Sequence, residues 1–156
     1  MKKKELQSYL QKIEPFEKPN VKLEQYPTPP NLATDMMFAI ENSYNDLNSK
    51  MVCDLGCGSG MLTIASSLLG ASFVLGIDID ESAIKTAKKN ISEIYDENGE
   101  IDFLNCSALN LPSSLHSKFD TVIMNPPFGT KVKGIDIKFL EVAEKVRKKK
   151  FFTNYY

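Results

Sequence analysis

Five consecutive residues, Asn125-Pro126-Pro127-Phe128-Gly129, carry the most narrowly defined chemistry in this chain. Two successive prolines stiffen the backbone and neither has an N–H, so the local carbonyls accept without a competing donor. A planar exocyclic amino group needs that arrangement, because it has two N–H bonds to place. The Asn125 side-chain oxygen and the Pro126 carbonyl can each accept one, Pro127 holds the turn rigid, and Phe128 offers a stacking face to a base. Accepting both bonds pulls electron density onto nitrogen and favours the pyramidal form whose lone pair attacks a methyl carbon. With a sulfonium as methyl donor no strong general base is required, since nitrogen sheds its proton after it has become positive. Catalysis is then in-line positioning and electrostatic stabilisation. The loop does not choose its acceptor: adenine in RNA or DNA, guanine N2 and protein glutamine all present a flat amino group.

The methyl donor is indicated by a second string, Asp54-Leu55-Gly56-Cys57-Gly58-Ser59-Gly60, between an apolar run and a helical pattern. Glycines there allow left-handed backbone and let a ligand lie against the main chain. Their spacing is Gly-x-Gly-x-Gly. Met61 stands one residue later, so the third glycine of a dinucleotide fingerprint is missing, and no lysine follows as a phosphate loop requires. A cofactor without pyrophosphate fits better, namely S-adenosylmethionine, whose ammonium favours Asp54 and whose methionine end and ribose approach Gly56, Gly58, Ser59 and Gly60. Asp78 closes the next apolar run, where an acidic residue accepts from ribose hydroxyls, and Ile79 is placed for the adenine face. Asp80 reads as a helix cap instead.

The elements that position these strings follow from periodicity. Residues 3–13 repeat Leu6, Tyr9, Leu10 and Ile13 at helical spacing, and prolines hold residues 25–30 extended. A helix is expected over 31–44, with Leu32, Met36, Met37 and Ile40 inward. Strands are expected over 51–55, 73–78, 101–106 and 119–124. Helices are expected over 61–69, closed by Gly70, from 80 to about 95, and over 136–149 with Ile137, Leu140, Val142, Ala143 and Val146 together. This alternation predicts an α/β, Rossmann-like, doubly wound and mainly parallel sheet. Residues 1–50 read as a helical and extended segment that contributes to the cofactor site, 51–149 as the core, and 150–156 as a divergent tail.

Composition sets the outer limits. The chain has 156 residues, 42% hydrophobic and 25% charged, with net charge -1, so no global positive field marks a nucleic-acid binder. Lysines cluster at both ends as solvated charge. Three cysteines and one histidine, without a CxxC pair, argue against a disulfide framework or a bound metal. No membrane span or secretory leader is read, so a soluble intracellular protein is expected.

From residue 3 to about 149 the chain resembles the methyltransferase-like protein 5 family, the 18S ribosomal RNA adenine-N6 methyltransferases of class I fold. The resemblance is carried by Phe16-Glu17-Lys18-Pro19, Leu23-Glu24-Gln25-Tyr26-Pro27-Thr28, Asp54-Leu55-Gly56-Cys57-Gly58, Gly76-Ile77-Asp78-Ile79-Asp80 and the run from Phe119 through Asn125-Pro126-Pro127-Phe128 to Lys131. It implies that Gln25 and Thr28 touch the methionine end of S-adenosylmethionine, and that the protein works in nucleus and cytoplasm on 18S ribosomal RNA. It also implies a small zinc-binding activator subunit docked on the strand 101–106. Where the family has an Asp after the third-strand Cys, this chain has Ser107-Ala108; the serine hydroxyl can still accept from the cofactor's adenine, without charge, so weaker binding is expected. The family also continues with further strands, so a C-terminally truncated form with an apolar, unpaired fourth-strand edge is expected. A module that binds cofactor or activator without turnover is the competing expectation.

Overall fold

A computed structural model describes residues 1–16, 18–95, 100–127 and 129–148. Four parallel strands, β1 (Met51–Leu55), β2 (Phe73–Asp78), β3 (Ile101–Asn105) and β4 (Thr121–Met124), form one sheet in the order β3-β2-β1-β4. Helices α1 (Lys3–Leu10), α2 (Pro30–Ala39), α3 (Met61–Leu68), α4 (Glu81–Ile94) and α5 (Ile135–Val146) complete the fold. Alternate strand residues feed different layers, as the period of two demands. Val52, Val74 and Ile123 join Leu6, Leu10, Met37, Ile64 and Ile91 on the face covered by α1 to α4. Cys53, Leu55, Leu75, Ile77 and Val122 join Phe139, Ala143 and Val146 on the face covered by α5. The predicted doubly wound sheet is therefore present, with β1 and β2 on the expected residues.

Several boundaries and faces differ from the sequence expectation. The first helix stops at Leu10, short of Ile13, although Ile13 is still buried. Leu32 is 55% exposed, while Ala33, Thr34, Met37 and Ile40 face inward. Helix α1 packs against α2, and the small Ala33 admits that approach where leucine would not. The turn Ile40–Tyr44 then widens to π geometry and ends at Asn45 in left-handed conformation, φ 52. On α5 the buried stripe is Phe139, Ala143 and Val146, and Ile137 and Leu140 point outward at 54% and 42% exposure. Two apolar stripes compete for one sheet face, and the stripe carrying the large Phe139 ring wins it. Strand β3 ends at Asn105 and β4 begins at Thr121. Phe119, predicted inside the fourth strand, instead bridges in parallel to Arg147, with Lys148 N–H donating to its carbonyl at 2.7 Å. So the chain leaving α5 already pairs beside the entrance of β4, whereas Thr121–Met124 pairs only with β1 among the described residues. The expectations for Phe128 and for the tail 150–156 lie outside those residues.

One buried amide ties the N-terminal segment to the core. Asn90, 1% exposed on α4, donates through Nδ2 to the Ser59 carbonyl at 2.9 Å and the Glu14 carbonyl at 3.0 Å, and accepts from Glu14 N–H at 2.9 Å. Asn90→Ala strands these groups, and the expected destabilisation is roughly 2–3 kcal/mol. Thermal unfolding should show a drop of several degrees, with limited proteolysis cutting first near residues 11–20. An unchanged melting temperature would contradict the clamp.

Candidate active site

Strand order reverses at β1: the chain winds outward from β1 through β2 to β3, then returns to place β4 on the other side. At such a switch point the loops after the two central strands diverge and leave a crevice. Here the crevice is a cavity of about 240 Å³. Its floor is the glycine turn after β1, one wall is the end of β2 with Ser107 and Ala108 beyond β3, and the opposite wall is Asn125-Pro126-Pro127 after β4. Residues Lys22 to Thr28 close the third side, together with Phe16.

The turn is built around Asp78. Its Oδ2 accepts from Gly58 N–H at 2.8 Å and its Oδ1 from Asp80 N–H at 2.9 Å, which fixes the carboxylate at the cavity wall. Gly58 has φ +54, and a Cβ there would lie 2.7 Å from the Phe16 ring, so only glycine lets that ring close over the turn. Asp54 is fully buried; Thr63 donates to Oδ2 at 2.6 Å, while Oδ1 has no hydrogen-bond partner among the described residues. Burial pushes the Asp54 carboxyl up to about 7, the nearby Asp78 charge adds to this, and the Thr63 bond opposes it. Burial also raises Asp78, against the pull of the backbone N–H groups of Asp80, Gly58 and Ile79. Burial likewise holds the Cys53 and Cys57 thiols well above the ordinary range, so neither is a nucleophile.

An unpaired buried carboxylate oxygen beside a cavity calls for a cation, and the exposed apolar Ile79 on the same wall, 55% accessible, suits a flat apolar ring. These groups fit the methyl donor proposed from sequence, with its ammonium and its adenine.

Comparison with known proteins agrees. Residues 33–126 match the family model of ribosomal protein L11 methyltransferase (PrmA), which stops inside the Asn-Pro-Pro segment and so covers the core without the residues after it. Over 92% of its length the chain is 48% identical to the rRNA N(6)-adenosine-methyltransferase METTL5 of Danio rerio, spanning 69% of that protein. It is 46% identical to the Mettl5 of Drosophila melanogaster over 92% of the chain and 67% of the relative. The chain belongs to the METTL5 family of rRNA N6-adenosine methyltransferases. A crystal structure from Pyrococcus horikoshii, described as a candidate RNA methyltransferase, superposes at TM-score 0.81 with 36% identity, covering 93% of this chain and 69% of that one. The METTL5 family uses S-adenosylmethionine.

Against that family frame, the cavity gathers Gln25, Thr28, Asp54, Gly56, Gly58, Ser59, Asp78, Ile79, Ser107, Ala108, Asn125, Pro126 and Pro127. Phe128 lies outside the described residues. Gly60 is not among the residues that line the cavity, and a Cβ there would sit 3.2 Å from Ala87 on α4. Gln25 reaches the wall with both amide ends engaged, Nε2 donating to Asp80 Oδ2 at 2.7 Å and Oε1 accepting from Asn20 N–H at 2.7 Å. It fastens the N-terminal segment to the end of β2. Ser107 Oγ caps the short turn Ala108–Asn110 by accepting from Leu109 N–H at 3.3 Å. Sequence reasoning missed Phe16, Glu24 and Asn90, whose partners are distant along the chain, and Thr63, which meets Asp54 across the glycine turn. The one available signal was that Phe16 and Glu24 sit inside the strings shared with the family.

A folded pKa near 7 against 3.8 for an ordinary aspartate means the folded chain keeps a proton that the unfolded chain releases. Stability therefore falls as pH rises from about 4 to about 7 and levels off above that. Asp54→Asn should remove this slope, so the stability gain of the variant over the parent is larger at pH 8 than at pH 5 in denaturant titrations. Parallel curves at all pH values would rule out the shift.

Proposed function

We propose that this chain methylates adenine N6 in 18S ribosomal RNA, in nucleus and cytoplasm, with Asn125, Pro126 and Pro127 holding the acceptor and the turn after β1 holding the donor. The observation that carries the reading is the shared cavity: Leu55 and Met124 are register partners at the ends of adjacent parallel strands, so both loops open into the same 240 Å³. Bound there, S-adenosylmethionine supplies a methyl group activated by a sulfonium. Asp54 offers its unpaired Oδ1 to the ammonium and Asp78 keeps lone pairs free for ribose hydroxyls beyond its two backbone bonds. Ile79 and Ala108 face the adenine, and the Ser107 hydroxyl accepts from its amino group. On the acceptor side, Asn125 Oδ1 and the Pro126 carbonyl take the two N–H bonds of the target amine, beside the apolar side chains of Pro127 and Phe139. The base must leave its stack to reach these groups. The activator subunit is assigned to β3, the outer strand, where Ile101, Phe103 and Leu104 are only half-buried.

Transfer of labelled methyl to 18S-derived RNA, with and without the activator subunit, tests the reading. Asn125→Ala should lower turnover by about 100-fold or more, since one preorganised acceptor of developing charge is lost, while cofactor Kd changes little. Replacing the target adenine should abolish labelling. Cofactor binding without any turnover would identify a binding module and overturn the proposal. Ser107→Asp adds a charged acceptor at the adenine site and should tighten cofactor binding several-fold by calorimetry; equal affinities would remove Ser107 from the site.

A further inference from the structure

We propose that Thr28 is the positioning residue that turns Asn125 so that its amide oxygen, and not its amide nitrogen, faces the acceptor amine. The inference rests on the proposed function and deepens it. An asparagine amide has two ends of nearly equal size and opposite hydrogen-bonding sense. Only the oxygen accepts from an exocyclic amine; the reversed amide would set donor against donor. Something must therefore choose between the two.

Thr28 is the group placed to choose. Asn125 Nδ2 donates to Thr28 Oγ1 at 3.0 Å, across 97 residues of sequence, and among the described residues nothing donates to Asn125 Oδ1. Both partners sit on proline-stiffened backbone. Thr28 lies between Pro27 and Pro29, and Asn125 precedes Pro126, so each is held extended by the proline that follows. The segment carrying Thr28 is tied down on either side of the cavity. Gln25 Nε2 reaches Asp80 at 2.7 Å, and Glu24 Oε1 accepts from Lys131 N–H, beyond the Asn-Pro-Pro segment, at 2.6 Å. A hydroxyl can also donate, which would favour the reversed amide. Once an anionic group in the cavity accepts a hydrogen bond from the Thr28 O–H, the hydroxyl has only its lone pairs left to offer Asn125. The carboxylate of a bound methyl donor is such a group, so donor binding would complete the lock on Asn125 before the acceptor arrives.

The test is a double-mutant cycle, because a carboxylate has no wrong end. Thr28→Val keeps the shape and removes the hydroxyl; Thr28→Ser restores it. In the parent chain Thr28→Val should reduce kcat for RNA methylation roughly tenfold, a loss of orientation, and Thr28→Ser should recover most of it. In the Asn125→Asp background, whatever its own rate, Thr28→Val should add no further loss. A penalty that persists there, or a fall confined to cofactor Kd, would overturn the assignment.

A second arm needs no turnover. Nuclear magnetic resonance of the chain should show through-space contacts between the Asn125 side-chain amide protons and the Thr28 methyl. Adding S-adenosylhomocysteine should shift that amide in the parent and in Thr28→Ser but not in Thr28→Val. If the parent fails to methylate yet shows these contacts, the proposed function fails while the Thr28–Asn125 contact itself stands. If the contacts are missing, the positioning role fails regardless of activity.

Discussion

Leu55 and Met124 lie opposite each other at the ends of β1 and β4, and this one pairing brings the glycine turn and the Asn-Pro-Pro loop side by side. Parallel strands end on the same side of a sheet. Adjacent parallel strands whose helices pack on opposite faces must send their exits apart, which opens a crevice between them. Here one exit is a glycine turn with backbone free to meet a ligand, and the other is a proline-stiffened run of acceptors. Had β4 been added beyond β3 instead, the same two loops would be separated by three strand spacings, roughly 14 Å, and could not share a ligand.

A fold of this kind leaves the crevice open on its third side, and the N-terminal segment fills it. Its attachments are specific: Glu14 to Asn90, Phe16 over Gly58, Gln25 to Asp80, Glu24 to Lys131 and Thr28 to Asn125. Each is modest alone, yet all five join the segment to a different part of the site. The segment therefore holds floor and both walls in one geometry. The asparagine at its base is polar and almost fully buried, which is tolerable only because its bonds are all made.

Electrostatically the site is held in tension. Two carboxylates lie close together in a poorly solvated place, one of them with an oxygen that none of the described residues satisfies. Such a pair costs stability in the empty protein, and a cation in the cavity relieves it. The same burial that raises the Asp54 carboxyl means that a positive charge placed beside it would favour its ionised form.

The periodicity of β1 and β2 and the glycine and proline punctuation were legible from residues alone, because strand alternation and turn chemistry act over a few neighbours. The two loops could be read as partners in one sheet for the same reason. What local patterns could not decide was choice between near-equal options. Leu32 and Ala33, or Ile137 and Phe139, offer rival faces, and the winner depends on how closely the partner helix or sheet approaches. Gly60 looked like the glycines before it, and only the fold shows that a side chain there would press on Ala87. Asn90, Thr63 and the Thr28–Asn125 bond left no mark in the sequence, since each joins positions brought together only by folding. The sequence by itself determined which chemistries were present and the turns that carry them. Only the tertiary structure decided which groups are paired, because a hydrogen bond between residues 97 apart has no counterpart in local propensity.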